Sequence, residues 1–227
     1  GYNEALLGNL ITTSSFVALL AALPMGYLSD IIGRKTSLIL SGALLSAAIL
    51  AMSIWKTEAN FYAMNIVSGI AQSLAGVVMS PFLMENSSET ERTYLFSFGQ
   101  GLQMALASVG AWIGGYLPTW IGQARGVTAT SSTAYGNSVL IVGFGAAVGL
   151  LPLLFIKSQQ SEHSQRTVFA PLQYAAKNPL LLTKLILPML LTSLGAGLIM
   201  PFMNVFFRVV HHQSDPVIGT LFAWGSL

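Results

Sequence analysis

Gly26-Tyr27-Leu28-Ser29-Asp30-Ile31-Ile32-Gly33-Arg34-Lys35 separates two long uncharged stretches. No charged residue occurs from Ala5 to Ser29, and none from Thr36 to Trp55. A helix of about 20 apolar residues crosses the roughly 30 Å of hydrocarbon in a bilayer. Each stretch is therefore long enough to span a membrane, and the quoted segment is the corner between them. Asp30 falls at the carboxyl end of the first helix, where the macrodipole disfavours an anion, so it needs a partner. Gly33 supplies the backbone freedom to turn the chain. Arg34 and Lys35 belong at headgroup level. Gly26, one residue type without a side chain near a helix end, permits another helix to approach closely.

Composition supports that solvent assignment. The chain is 53% hydrophobic and 8% charged, against about a quarter charged in a soluble domain. Its mean hydropathy is +0.67. The formal net charge of +2 is small and unclustered, which gives nucleic acid no basic face to bind. The absence of cysteine excludes disulfides and thiolate metal sites. The opening Gly-Tyr-Asn-Glu lacks the basic region of a removable secretory signal.

Working outward from the corner, spans are expected over residues 5–29, 36–55, 60–84, 94–117, 137–156 and 181–207, with a further one starting near Pro216. Barrel strands need only about ten alternating residues, so these lengths predict helices. Hydrocarbon offers no hydrogen-bond partner, which demands the same answer. The expected fold class is an all-α, polytopic membrane bundle. Residues 119–136, rich in Ser, Thr and Gly, read as an outer loop. Placing Arg34 and Lys35 in the cytoplasm puts Arg92, Lys157, Arg166, Lys177 and Lys184 there too, and Lys56, Arg125 and Arg208 outside. That distribution obeys the positive-inside bias.

The corner resembles the signature loop between the second and third helices of the major facilitator superfamily, Gly-x-x-x-Asp-Arg/Lys-x-Gly-Arg-Arg/Lys. Gly26, Asp30, Gly33, Arg34 and Lys35 match it, and Ile31 stands where a cation is usual. The resemblance implies twelve helices in two halves of six, joined by a long cytoplasmic segment. Residues 1–156 then hold spans two to six of the first half. Residues 157–179 are the linker between halves, and 180–227 hold span seven and the start of span eight. The chain is accordingly expected to cover part of a longer transporter. The resemblance also implies a cytoplasmic gate, in which the loop's aspartate and arginine contact the opposite half and release it during alternating access. Nearer partners are Glu85, after the fourth span, and Arg92, before the fifth, so a cluster of Asp30, Arg34, Glu85 and Arg92 is expected.

Polar residues inside spans are functional candidates by default. Asn9, Thr12 and Thr13 share one helical face, as do Asn65, Ser68 and Gln72. Gln100 and Gln103 lie in the fifth span and Asn204 in the seventh. In the family, helices two, four, five and seven border the central cavity, which nominates Asn9, Thr13, Asn65, Gln72, Gln100, Gln103 and Asn204 as cavity residues. Helix–helix hydrogen bonding is the alternative for each. Asn65 stands where many proton-coupled efflux members carry arginine. Gly110-Ala111-Trp112-Ile113-Gly114-Gly115 resembles the fifth-helix glycine motif of drug antiporters without its proline; Gly110, Gly114 and Gly115 permit tight packing. Pro188, Gly195, Gly197 and Pro201 interrupt the seventh span, and a bend near Gly195-Ala196-Gly197 is expected.

No nucleophile with a base, phosphate loop or metal cluster is evident. His211, His212 and Asp215 lack further ligands, and Glu85, Glu89 and Glu91 read as a solvated face. The expected function is secondary transport of a small solute by alternating access, with no cofactor and no enzymatic activity. Expected partners are the solute, lipid, and protons or another coupling ion. A monomer in the cell membrane is expected, and the glycine motif favours efflux. The rivals are an uptake permease of the same fold and a non-transporting scaffold or sensor.

Overall fold

The computed structural model describes residues 4–156 and 177–226. The chain is helical throughout these: α1 Glu4–Ile32, α2 Arg34–Ile54, α3 Glu58–Glu85, α4 Glu89–Arg125, α5 Ser132–Val148, α6 Leu151–Phe155, α7 Pro179–Ile199, a 3-10 turn Met200–Phe202, α8 Met203–Val209 and α9 Asp215–Gly225. The expected linker 157–179 lies almost wholly outside the described residues.

The interior is inverted relative to a water-soluble protein. Many of its buried positions are small or hydroxylic, Ser37, Ala48, Ser68, Ala71 and Ser73 among them, with Ala48 0% and Ala71 1% exposed. Large apolar side chains face outward, as at Leu19 and Leu20, 70% and 63% exposed. In water such a surface would aggregate. In hydrocarbon it is solvated, and small residues at the crossings let the helices approach. Five segments are long and apolar enough to cross a membrane: Ala5–Ile32, Arg34–Ile54, Glu58–Glu85, Ser132–Phe155 and Pro179–Val209. The remaining expected span, 94–117, lies in α4, a helix of 37 residues that is long enough but less apolar because it carries Gln100 and Gln103.

Helix α3 is the centre of the first bundle and packs against both α1 and α2; α2 also packs on α5, and α4 on α5 and α9. Gly69 of α3 meets α1 so closely that a Cβ there would collide with the Ser14 carbonyl oxygen and lie 3.1 Å from Val17 Cβ. Leu38, Leu74, Val78 and Phe82 form the one buried apolar cluster among the described residues, flanked by Met25, Val77 and Leu153. The ends are capped locally. Thr57 accepts from Asn60 N at 3.3 Å and Ser131 from Ala134 N at 3.1 Å. Ser88 donates through Oγ to Glu91 Oε2 at 2.6 Å, and this bond holds the Glu91 carboxyl below the usual carboxylate range. Glu91 is thus a helix cap.

Three expectations are corrected. The 119–136 loop shrinks to residues 126–131, because α4 continues through Pro118 to Arg125 before Gly126, at φ 65°, ends it. The sixth span is not continuous: Pro152 follows the break between α5 and α6, since it cannot donate to the carbonyl four residues earlier. The seventh span is interrupted at the Met200–Phe202 turn, where Pro201 lacks an amide hydrogen, and not at Gly195–Gly197. Gly195, Gly197 and Pro188 lie within regular helix, and both glycines face open space.

Candidate functional site

Two polar clusters occupy opposite ends of the bundle. At the α1–α2 corner, Gly33 has φ 87° and ψ 148°, a region nearly closed to residues with a Cβ. That turn starts α2 with Arg34. The Arg34 guanidinium binds Glu85 through Nε–Oε1 at 2.5 Å and reaches Asp30 through Nη2–Oδ1 at 3.5 Å. The side chains of Arg34 and Glu85 are 18% and 23% exposed, so the pair is largely withdrawn from water. Asp30 sits on the last turn of α1 and gains the cation its position requires. The corner thereby ties the ends of α1, α2 and α3 together over the apolar cluster of Leu38, Leu74, Val78 and Phe82.

Lys35 does something that topology alone did not predict. Its Nζ donates to the carbonyl oxygens of Leu154 at 2.9 Å and Ile156 at 2.6 Å. A cation on the last carbonyls of a helix satisfies unpaired acceptors and complements the dipole. Lys35 therefore holds the end of α6 against the corner. Lys35→Met should cost about 1.5 kcal/mol, the range for hydrogen bonds to charged groups. It is expected to lower the thermal midpoint in detergent, with Lys35→Arg close to wild type; an unchanged midpoint in the methionine variant would remove this role.

Arg92 joins the neighbourhood differently from expectation. Its Nη2 donates to Met84 O at 3.4 Å, and it pairs with no carboxylate among the described residues. Gly26 likewise has no close helix neighbour there, since a Cβ would meet nothing within 4 Å. The cavity candidates divide. Asn9, Gln72, Gln100, Gln103 and Asn204 are exposed, and Thr13 is half-buried with its hydroxyl on Asn9 O at 2.8 Å. Asn65 turns its amide to Phe61 O at 2.8 Å and toward Met52 Sδ of α2 at 3.8 Å. These bonds place its amide at the α2–α3 contact.

At the other end, α9 crosses α4 with backbones nearly touching. A Cβ on Gly115 would lie 2.6 Å from Asp215 O and 2.8 Å from Gly219 Cα, and one on Gly219 would lie 2.7 Å from Ala111 O. Ser108 Oγ donates to Ala223 O at 2.7 Å along the same contact. Gly110 and Gly114 face open space, so Gly115 alone of the three makes the crossing. Beside it, Tyr135 of α5 donates its hydroxyl to Asp215 Oδ2, and Arg208 binds Asp215 Oδ1. The Arg208 guanidinium carbon lies 5.6 Å from the Tyr135 ring centre. A cleft of about 420 Å³ runs under this network between α4, α5, α8 and α9, and Asn204 is on its wall.

Sequence reasoning missed Tyr135, Arg208, Asp215 and Gly219. Arg208 and Asp215 bracket one short turn with opposite charges, a usable signal; nothing local marks Tyr135.

The family model of the Major Facilitator Superfamily matches residues 1–227. The chain belongs to the major facilitator superfamily. Neither the curated proteins nor the solved structures give a match. As a superfamily transporter it is a multi-pass membrane protein with apolar, lipid-facing helices, and its partners are a small-molecule substrate and membrane lipid.

Proposed function

We propose that this transporter carries a small amphipathic or neutral solute by alternating access, in the export direction, and that Asp30, Gly33, Arg34 and Glu85 form part of its cytoplasmic gate. In this reading α1 to α6 belong to one half of the carrier and α7 to α9 to the other, with the Arg34 end in the cytoplasm. The carrying observation is the Arg34–Glu85 ion pair at 2.5 Å, with Asp30 beside it. A guanidinium shared between two carboxylates can exchange partners at little cost, because one anion remains when the other leaves. All three residues lie in the half made of α1 to α6, so in this reading the pair holds the guanidinium ready for a carboxylate of the other half, a contact that breaks and reforms while the two halves rock. The cavity residues of this proposal are Asn9, Thr13, Gln72, Gln100, Gln103 and Asn204. All are uncharged, which matches a solute without a fixed charge or one whose charge is met elsewhere.

Export is supported by the tight Gly115–Gly219 crossing within the stretch that resembles the drug-antiporter motif. A proton or another ion supplies the energy in this reading.

The test is flux in proteoliposomes, with a panel of labelled amphipathic solutes and an imposed proton or sodium gradient. Gradient-driven accumulation at least several-fold above protein-free vesicles is expected for one or more solutes. No accumulation under any gradient would favour the scaffold reading. Accumulation in the opposite direction would replace export by uptake.

A further inference from the structure

We propose that Tyr135, Arg208 and Asp215 form a latch on the outer face that closes the cleft between α4, α5, α8 and α9; it rests on the two-half, alternating-access reading above. Asp215 is the carboxylate through which the network runs. It accepts the Tyr135 hydroxyl from α5 on one oxygen and the Arg208 guanidinium from α8 on the other. Its side chain is 12% exposed. A carboxylate so withdrawn from water depends on both partners, since an unpaired buried charge is strongly disfavoured. The Arg208 guanidinium also lies against the Tyr135 ring at 5.6 Å, so the three groups contact one another pairwise.

The position of the network gives it a task. It joins α5 of the first proposed half to α8 and α9 of the second. The remaining hold of α9 on the first half is the backbone crossing at Gly115 and Gly219 with the Ser108–Ala223 bond. Helix α7 adds little, because almost every residue along it is exposed. All three latch groups sit at helix ends near the bundle end opposite Arg34: Tyr135 early in α5, Arg208 in the last turn of α8 and Asp215 in the first turn of α9. Below them the cleft is walled by Ser138, Asn204 and Ile218. Rocking the halves apart at this end must pull Tyr135 from Asp215, and the cleft then opens outward. A discrete network of this kind has two states, joined or parted, which is what a gate requires.

The chain has no cysteine, so one introduced thiol reports alone. Ser138→Cys places it in the cleft wall, at a buried position. The rate of its labelling by a membrane-impermeant maleimide, added from outside to oriented membrane vesicles, reads how often the cleft opens. Tyr135→Phe and Asp215→Asn in that background should each raise the rate about tenfold, the population change expected when one charge-assisted hydrogen bond is lost. Exchanging the charges, Arg208→Asp with Asp215→Arg, should return the rate toward the starting value. Tyr135→Phe removes a single hydroxyl and carries the test if Asp215→Asn fails to insert. Rates within twofold of the parent in every inserted variant would overturn the latch. So would an equal rise in Thr130→Val, on the neighbouring loop. Labelling needs no transported solute: raised labelling without flux would sink the carrier reading and leave the latch, and flux with unchanged labelling would do the reverse.

Discussion

Gly115→Leu is expected to reduce transport by at least tenfold, while Gly110→Leu, about 1.4 helical turns away, leaves it within about twofold. The two glycines belong to the same motif and differ in what surrounds them. At Gly115 even a Cβ would sit 2.6 Å from a backbone oxygen and 2.8 Å from a backbone carbon of α9. Neither atom can swing away as a side chain can, so α4 and α9 must separate. Overpacking costs about 1–3 kcal/mol in cores. In lipid no hydrophobic force draws the helices back together, because the tails solvate each surface as well as the partner does. The Ser108–Ala223 bond and the Asp215 network lie on the same crossing and would be strained with it. At Gly110 a Cβ meets nothing within 4 Å. Flux per inserted molecule, measured alongside the thermal midpoint, separates the two. Equal activity in both variants would show that the crossing is not needed for turnover.

The second large effect is expected at Arg34. Arg34→Gln removes the cation from between Asp30 and Glu85 and leaves two carboxylates without it. Removing one partner of a fully buried pair costs about 3–5 kcal/mol, and partial exposure here reduces that to about 1–3 kcal/mol. Transport should fall about tenfold or more, with insertion retained, because Lys35 still anchors α6. Glu85→Gln should be milder, since Asp30 remains 3.5 Å from the guanidinium. The exchange Arg34→Glu with Glu85→Arg should recover part of the lost flux if the pair itself matters. Full activity in Arg34→Gln would remove the gate proposal, whatever the stability of the variant.

Much of this molecule was readable along the chain. Charge-free runs on either side of Gly26–Lys35 revealed both the solvent and the corner. The grouping of Asp30, Arg34 and Glu85 was within reach as well: successive spans alternate direction, so the ends of the first and third helices must share a face. Gly33 announced its turn because few residue types accept φ 87°. The same reasoning failed for Arg92. Its loop position was correct, but an arginine side chain is long and flexible, and here it reaches a Met84 carbonyl in preference to a carboxylate. For Asn65 the stripe gave no sign that the amide meets Met52 of α2. The break at Pro201 was misplaced to the glycines before it, since glycine permits a bend and proline compels one.

The sequence by itself determined the medium, the helical state and the approximate ends of the spans. Those follow from transfer free energy and backbone hydrogen bonding, which sum over neighbours in the chain. Tertiary structure alone decided that Gly115 and not Gly110 meets another backbone, that Lys35 closes α6, and that Tyr135 finds Asp215 across 80 residues. Each of these depends on helix rotation and crossing to within an ångström or so. In a membrane that accuracy comes from the packing of small residues on facing helices, and local composition carries no record of which faces meet.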